Sequence, residues 1–300
     1  MATLALGTAQ FGLDYGLTNY VGKLSTGEVE RILQHAKDHG IGWLDTAAAY
    51  GDAEFRLGSL LGGDASFLIC SKLLPTPVGG DALDSAQRSF ERSLDALRRD
   101  YLDALLVHAP ADLLGERGDA VWHWLTRLRE QGLARSIGMS VYEESEINAL
   151  TARFKPDWIQ LPASILDQRL VTSGCLARLS EQGIHIQARS LLLQGVATLQ
   201  VGALPGALAG LARALQRLHV AAEEFGVQTL DLALAWAAAN KSIQLGVVGV
   251  SGVDELTQCV DAFALGFDMD WSQFASDETT LLDPRKWPTG LRIEHQSGSV

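Results

Sequence analysis

Short apolar runs alternate with longer mixed segments along the chain, and the pattern predicts eight strands and eight helices, mostly in alternation. Strands are expected at residues 4–9, 42–46, 67–72, 102–108, 136–140, 158–161, 184–188 and 246–250. Helices are expected from a Ser25-Thr26 cap to about 39, then at 53–61, 83–99, 120–131, 143–154, 209–225, 230–240 and 253–265. A glycine-containing connection at 195–206 follows the seventh strand. Runs such as Ala104-Leu105-Leu106-Val107 are apolar at every position, which marks strands buried on both faces, as in a parallel sheet. Eight such units meet the requirement of a closed (β/α)8 TIM barrel. The competing arrangement is an open doubly wound sheet with a G-x-G-x-x-G turn after its first strand. Here Gly7-Thr8-Ala9-Gln10-Phe11-Gly12 lacks the middle glycine. The expectation is a single-domain α/β barrel over 1–291, undivided by any linker, and a flexible polar tail over 292–300.

Charge and composition narrow the partners. With 36 acidic against 24 basic residues, the net charge of −12 opposes a phosphate backbone or an anionic membrane surface. The hydrophobic fraction of 47% suffices for a large core. No apolar run is long enough to span a bilayer, and no basic leader precedes one, so a cytoplasmic protein binding neither nucleic acid nor membrane is expected. Cys70, Cys175 and Cys259 are odd in number and set in apolar surroundings, which fits reduced core thiols. His35 and His39 have helical metal-ligand spacing but no third ligand nearby, so no metal site is expected.

In a parallel barrel the loops at the carboxyl ends of the strands carry the chemistry. The second strand ends at Asp45, with Tyr50 one loop later; the third ends at Lys72 and the fourth at His108. Each has a structural explanation when taken alone. Asp45 can cap a turn, Tyr50 can form a half-buried wall, Lys72 can reach solvent along its stem, and His108 can bond a loop carbonyl. Their arrival on three adjacent strand ends favours a shared acid–base site. A lysine ammonium about 4 Å from a phenol contributes roughly 4 kcal/mol at an effective dielectric of ~20. At ~1.4 kcal/mol per unit, that bounds the downward pull on the Tyr50 pKa at about three units. Asp45 would keep Lys72 protonated, and His108 would orient a carbonyl oxygen. Such a group suits carbonyl reduction with a nicotinamide as hydride source, since no amino acid supplies one. Lys72 acting as a Schiff-base nucleophile in an aldolase-type barrel is the alternative chemistry.

The stretches Leu6-Gly7-Thr8-Ala9-Gln10-Phe11-Gly12, Leu44-Asp45-Thr46-Ala47 with Tyr50-Gly51, Ser71-Lys72 and Leu106-Val107-His108 resemble the motifs of the aldo-keto reductases in order and spacing. The similarity continues through Ile137-Gly138-Met139-Ser140, Gln160, Ala188-Arg189-Ser190 and the segment from Gly249 to Cys259. The resemblance implies an NAD(P)(H)-dependent oxidoreductase interconverting a small carbonyl compound and its alcohol, and Ala109-Pro110 after His108, where many members have an aromatic, would leave an open pocket able to admit a sugar-like aldehyde. It implies Asp45, Tyr50, Lys72 and His108 as the catalytic tetrad, with Tyr50 as general acid. Ser140 and Gln160 would hold the nicotinamide carboxamide, and Gly7, Thr8, Arg189, Ser190, Ser251, Glu255 and Gln258 would complete the cofactor site.

Three departures bear on that cofactor. Val141 stands where the family often has Asn, and Arg189 where many members stack a Tyr on the nicotinamide. The segment from Gly249 to Leu256 has no Lys or Arg where NADPH-preferring members grip the 2′-phosphate. Asp254 and Glu255 would repel that dianion yet accept bonds from ribose hydroxyls, unless they only complement a helix start. NADP(H) is therefore the implied cofactor and NAD(H) the alternative, and a cofactor-binding regulatory barrel with little turnover is a second functional reading. Substrate walls are expected from Phe11, Tyr15, the loop after Ser190, and Trp271 or Trp287.

Overall fold

The computed structural model describes residues 2–291 and residue 293, and its eight strands close into a barrel in sequential order. They are β1 Thr3–Gly7, β2 Trp43–Asp45, β3 Leu68–Lys72, β4 Ala104–Val107, β5 Ile137–Ser140, β6 Trp158–Pro162, β7 His185–Arg189 and β8 Leu245–Gly249. Every neighbouring pair is parallel, including β8 with β1. The expected (β/α)8 TIM barrel is the observed fold. The polar tail expected over 292–300 lies, apart from Ile293, outside the described residues.

Strand periodicity explains how polar residues enter the barrel. Ala5, Cys70, Ala104, Leu106, Trp158, Leu245 and Val247 form one apolar cluster, separate from the larger core shared with the helices. Side chains two residues apart on a strand share a face. Lys72 therefore follows Cys70 inward, Gln160 follows Trp158, and the chain leaves β4 with His108 two beyond Leu106. The registers Gly7↔Asp45, Asp45↔Cys70, Lys72↔Leu106 and Gln160↔Gln187 bring these positions to one end.

Helices cover the outside. The helix Thr26–Asp38 begins where the Ser25 hydroxyl accepts from Glu28 N at 3.2 Å, and it buries Val29, Ile32, Leu33 and Ala36 on one face. The helix Ala82–Leu97 is capped by Asp81 and stops at Arg98, whose φ is 53°. Some boundaries differ from expectation. The first strand stops at Gly7, because the short helix Ala9–Gly12 begins at once. A helix absent from the sequence reading, Cys175–Glu181, joins β6 to β7; it is too short to declare a period. The segment after β7 holds 3-10 turns at Leu193–Thr198, Val201–Ala203 and Gly206–Leu211, so the helix expected from 209 starts at Ala212.

Candidate active site

Asp45 ends β2 inside the barrel mouth, and its carboxylate is the centre of a buried network. Lys72 Nζ donates to both carboxylate oxygens, at 2.9 and 2.8 Å, and to the carbonyl of Thr46 at 2.8 Å. Gln160 Nε2 and Gln187 Nε2 both donate to Asp45 Oδ1, at 2.7 and 3.0 Å. The Lys72 side chain is 0% exposed and that of Asp45 is 5% exposed. Burial works against the ammonium, but the adjoining carboxylate carries the balance and holds the Lys72 pKa above its usual value. A fully buried, permanently charged amine fits an electrostatic role and opposes the Schiff-base alternative, which needs a neutral accessible amine.

In a third direction Lys72 Nζ lies 3.4 Å from Tyr50 Oη. Tyr50 is placed by backbone packing against the short helix Ala9–Gly12. A Cβ on Gly12 would lie 1.8 Å from the Tyr50 carbonyl oxygen, and one on Gly51, whose φ is 59°, would lie 2.3 Å from the Gly12 carbonyl oxygen. Only glycines permit that approach. The expected fall in the Tyr50 pKa is not what the geometry yields. Burial raises it, and this outweighs the opposing pull of the Lys72 charge, so the phenol keeps its proton through neutral pH.

His108 stands just past β4, its ring edge-on to Tyr50 with centroids 6.0 Å apart. Its Nδ1 is buried without a hydrogen-bond partner among the described residues. Burial, with the Lys72 and Arg189 charges, pushes its pKa down to about 3, so the imidazole is neutral under ordinary conditions.

These groups open onto one cavity of about 720 Å³. Of the residues picked out from the sequence, Gly7, Thr8, Asp45, Tyr50, His108, Gln160, Arg189, Ser190, Ser251, Glu255 and Gln258 line it. Lys72 and Ser140 do not. Lys72 acts from behind Asp45 and Tyr50, while Ser140 is 1% exposed and reaches the wall only by donating to Gln160 Oε1 at 3.2 Å. Thr8 ties β1 to β2, its hydroxyl donating to the Asp45 carbonyl at 3.1 Å. Glu255 accepts from Ser251 N at 2.7 Å, fixing the first turn of the helix Val253–Phe263. Among the expected substrate walls, Tyr15 lines this cavity and Trp287 an adjoining one of 350 Å³. Phe11 is instead wholly buried, and Trp271 packs against Phe267 and Phe274. His35 shares a 2.8 Å bond with Thr257 Oγ1, and His39 Nδ1 meets the His35 carbonyl at 2.9 Å, so both imidazoles serve helix packing.

Sequence reasoning missed three contributors. Gln187, polar within a buried strand and in register with Gln160, had a readable signal. Glu54 did not: its buried carboxyl accepts from Ser71 and Ser93 and pins the helix Ala53–Leu61 beside β3. Tyr142 packs against two guanidinium groups, with Arg189 Cζ at 4.0 Å and Arg285 Cζ at 3.2 Å from its ring centroid. Nothing local in the sequence predicts that stack.

A family-wide sequence profile described as "Aldo/keto reductase family" matches residues 3–276. An aldo-keto reductase of Mycobacterium leprae is 36% identical over 132 residues, which cover 43% of this chain and 46% of that relative, so the match spans about half the relative's length. Among solved structures, an aldo-keto reductase from Bacillus halodurans in its holo form superposes with a TM-score of 0.73 at 20% identity, covering 98% of this chain and 94% of the other. A variant of Gox0644 in complex with NADPH superposes with a TM-score of 0.68 at 20% identity, covering 92% and 90%. At these identities the structural likeness establishes the fold.

Proposed function

Since the chain belongs to the aldo/keto reductase family, we propose that its cavity reduces a small aldehyde or ketone to an alcohol, or runs the reverse reaction, with Tyr50 as the general acid. The observation that supports this reading is the contact of Tyr50 Oη, at 3.4 Å, with a Lys72 ammonium held by Asp45. When bound, a nicotinamide supplies the hydride. Everything else falls to side chains. Tyr50 Oη gives its proton to the carbonyl oxygen, and the Lys72 charge stabilises the phenolate left behind. Asp45, fixed by Gln160 and Gln187, keeps Lys72 charged and aimed. Neutral His108 orients the carbonyl oxygen beside Tyr50. In the oxidative direction the same atoms run backwards, with Tyr50 accepting the alcohol proton.

The residues at the cavity fit a dinucleotide. Gly7 and Gly249 pair across β1 and β8, and both line the cavity without a side chain to fill it. The resemblance implies NADP(H). The lining at β8 argues for weak discrimination with NAD(H) accepted, because Arg189 is the sole Lys or Arg among the described lining residues and Glu223 and Glu255 are among them. Titrating NADH and NADPH against tryptophan fluorescence, followed by a panel of aldehydes and sugars, tests the reading. Binding of either cofactor with turnover of a carbonyl compound supports it. Failure to bind either contradicts it, and tight binding without turnover would favour a regulatory barrel.

A further inference from the structure

Cations at the rim near β5 and β7 are, with one exception, held by carboxylates. Arg285 donates to Asp283 through Nε at 2.9 Å and through Nη2 at 2.7 Å. Arg169 donates to Asp167 at 2.8 Å and reaches Glu143 at 3.3 Å. Lys286 stands 3.7 Å from Asp283 and 3.8 Å from Glu143. Arg189 differs. Its polar contacts are the Val141 carbonyl at 3.2 Å and the Ser190 hydroxyl at 3.5 Å, both neutral, and among the described residues no carboxylate lies within ion-pair distance of it. A half-buried guanidinium with no counter-charge costs free energy that a bound anion would offset.

Its direction indicates which anion. From the end of β7 the side chain crosses β6 to the carbonyl and ring that follow β5, Val141 and Tyr142. It thus runs away from β8 and the helix Val253–Phe263, where Ser251, Glu255 and Gln258 line the cavity. The Tyr142 ring holds the guanidinium plane, and the N–H groups not donated to Val141 and Ser190 remain for a planar or tetrahedral oxyanion. The backbone that carries this residue is also constrained. Of the four described non-glycine residues with positive φ, Ser190 follows Arg189 directly, and Leu193 and Gln194 lie in the same loop. In a protein of net charge −12, Lys72 is paired with Asp45, and Arg189 is the cation of the cavity lining that carries no carboxylate partner among the described residues. The Arg189 charge is felt at Tyr50, His108 and Tyr15, which places it on the side where a carbonyl would react.

We propose that the substrate is an acid-bearing carbonyl compound, and that its carboxylate or phosphate pairs with Arg189 while its carbonyl faces Tyr50. The inference rests on the carbonyl-reduction reading above. The acidic group does not react; it orients the substrate, so its effect falls mainly on KM.

The same guanidinium chemistry would also suit a cofactor phosphate, and the test separates the two sources. Steady-state rates are compared for matched pairs: succinic semialdehyde with butanal, 4-carboxybenzaldehyde with benzaldehyde, and glyceraldehyde 3-phosphate with glyceraldehyde. Wild type, Arg189→Met and Arg189→Lys are each assayed, and NADH and NADPH affinities are measured by fluorescence. Wild type is expected to prefer the acidic member of at least one pair by about tenfold or more in kcat/KM. Arg189→Met should abolish that ratio, and Arg189→Lys should retain part of it. Equal rates for acidic and neutral members, or a ratio that survives in Arg189→Met, would overturn the proposal. So would a loss of NADH and NADPH affinity in Arg189→Met with the ratio unchanged, which would assign Arg189 to the cofactor. If no aldehyde turns over, the reduction reading fails. The anion site is then judged by calorimetric titration of succinate and inorganic phosphate: binding in wild type but not in Arg189→Met supports it, and absence of binding in wild type rejects it.

Discussion

The two ends of the barrel use carboxylates in opposite ways. At the amino end, Asp103 just before β4 accepts from Ile69 N at 2.9 Å and from Arg135 at 2.9 Å, while Asp157 just before β6 accepts from Ile137 N at 2.9 Å and from Arg129 at 2.8 Å. Each caps the first turn of a ladder, and its arginine remains in water: the Arg135 side chain is 55% exposed. At the carboxyl end, the Asp45 carboxylate is held among the described residues by side chains, those of Lys72, Gln160 and Gln187, and not by a strand N–H. The residue type is the same, but the lower acids stabilise backbone whereas the upper one stores an ammonium beside a phenol. A carboxylate's function is thus set by what its counter-ion can reach.

Breaking the upper pair should have the largest effect. Lys72→Met leaves Asp45 buried without its cation, and an expected loss of about 3–5 kcal/mol in urea unfolding should accompany loss of turnover. A loss no greater than for a surface pair would mean that the upper carboxylate is not different. Asp103→Ala should cost about 1–3 kcal/mol, because the Ile69 N–H loses its acceptor. Turnover should persist in the folded fraction; abolished turnover would erase the distinction between the ends.

Acid titration gives a third test. His108 has a folded pKa of about 3 against an ordinary value of 6.5, so below 6.5 the unfolded chain binds more protons than the folded one. Stability should therefore fall as pH drops from about 6.5 towards 3, by at most ~1.4 kcal/mol per pH unit from this group, and level off beneath that window. Unfolding midpoints of wild type and His108→Gln across this range should diverge; parallel profiles would contradict a neutral buried imidazole. The smallest effect is expected at the rim. Glu255→Gln removes an exposed charge and should improve NADPH affinity relative to NADH by a few-fold, read by fluorescence titration.

The same contrast explains what was legible in the sequence. Strand periodicity exposed the eight apolar runs and placed Asp45, Lys72 and His108 at their ends, since each breaks an apolar stretch where the barrel opens. Gln187 obeyed the same rule and was readable. Tyr142 and Arg189 were not, because their stack joins residues 47 positions apart whose meeting depends on loop paths. Glu54 likewise contacts Ser93 across 39 positions. The sign of the Tyr50 shift was hidden for a related reason: the pull of Lys72 follows from motif spacing, whereas burial depends on the completed cavity.

That Tyr50 passes the proton is tested most directly by single-turnover hydride transfer, followed by the loss of nicotinamide absorbance with saturating aldehyde. Tyr50→Phe should bind cofactor as wild type does and transfer hydride about 10²–10⁴-fold more slowly. Equal rates in the two proteins would contradict the assignment.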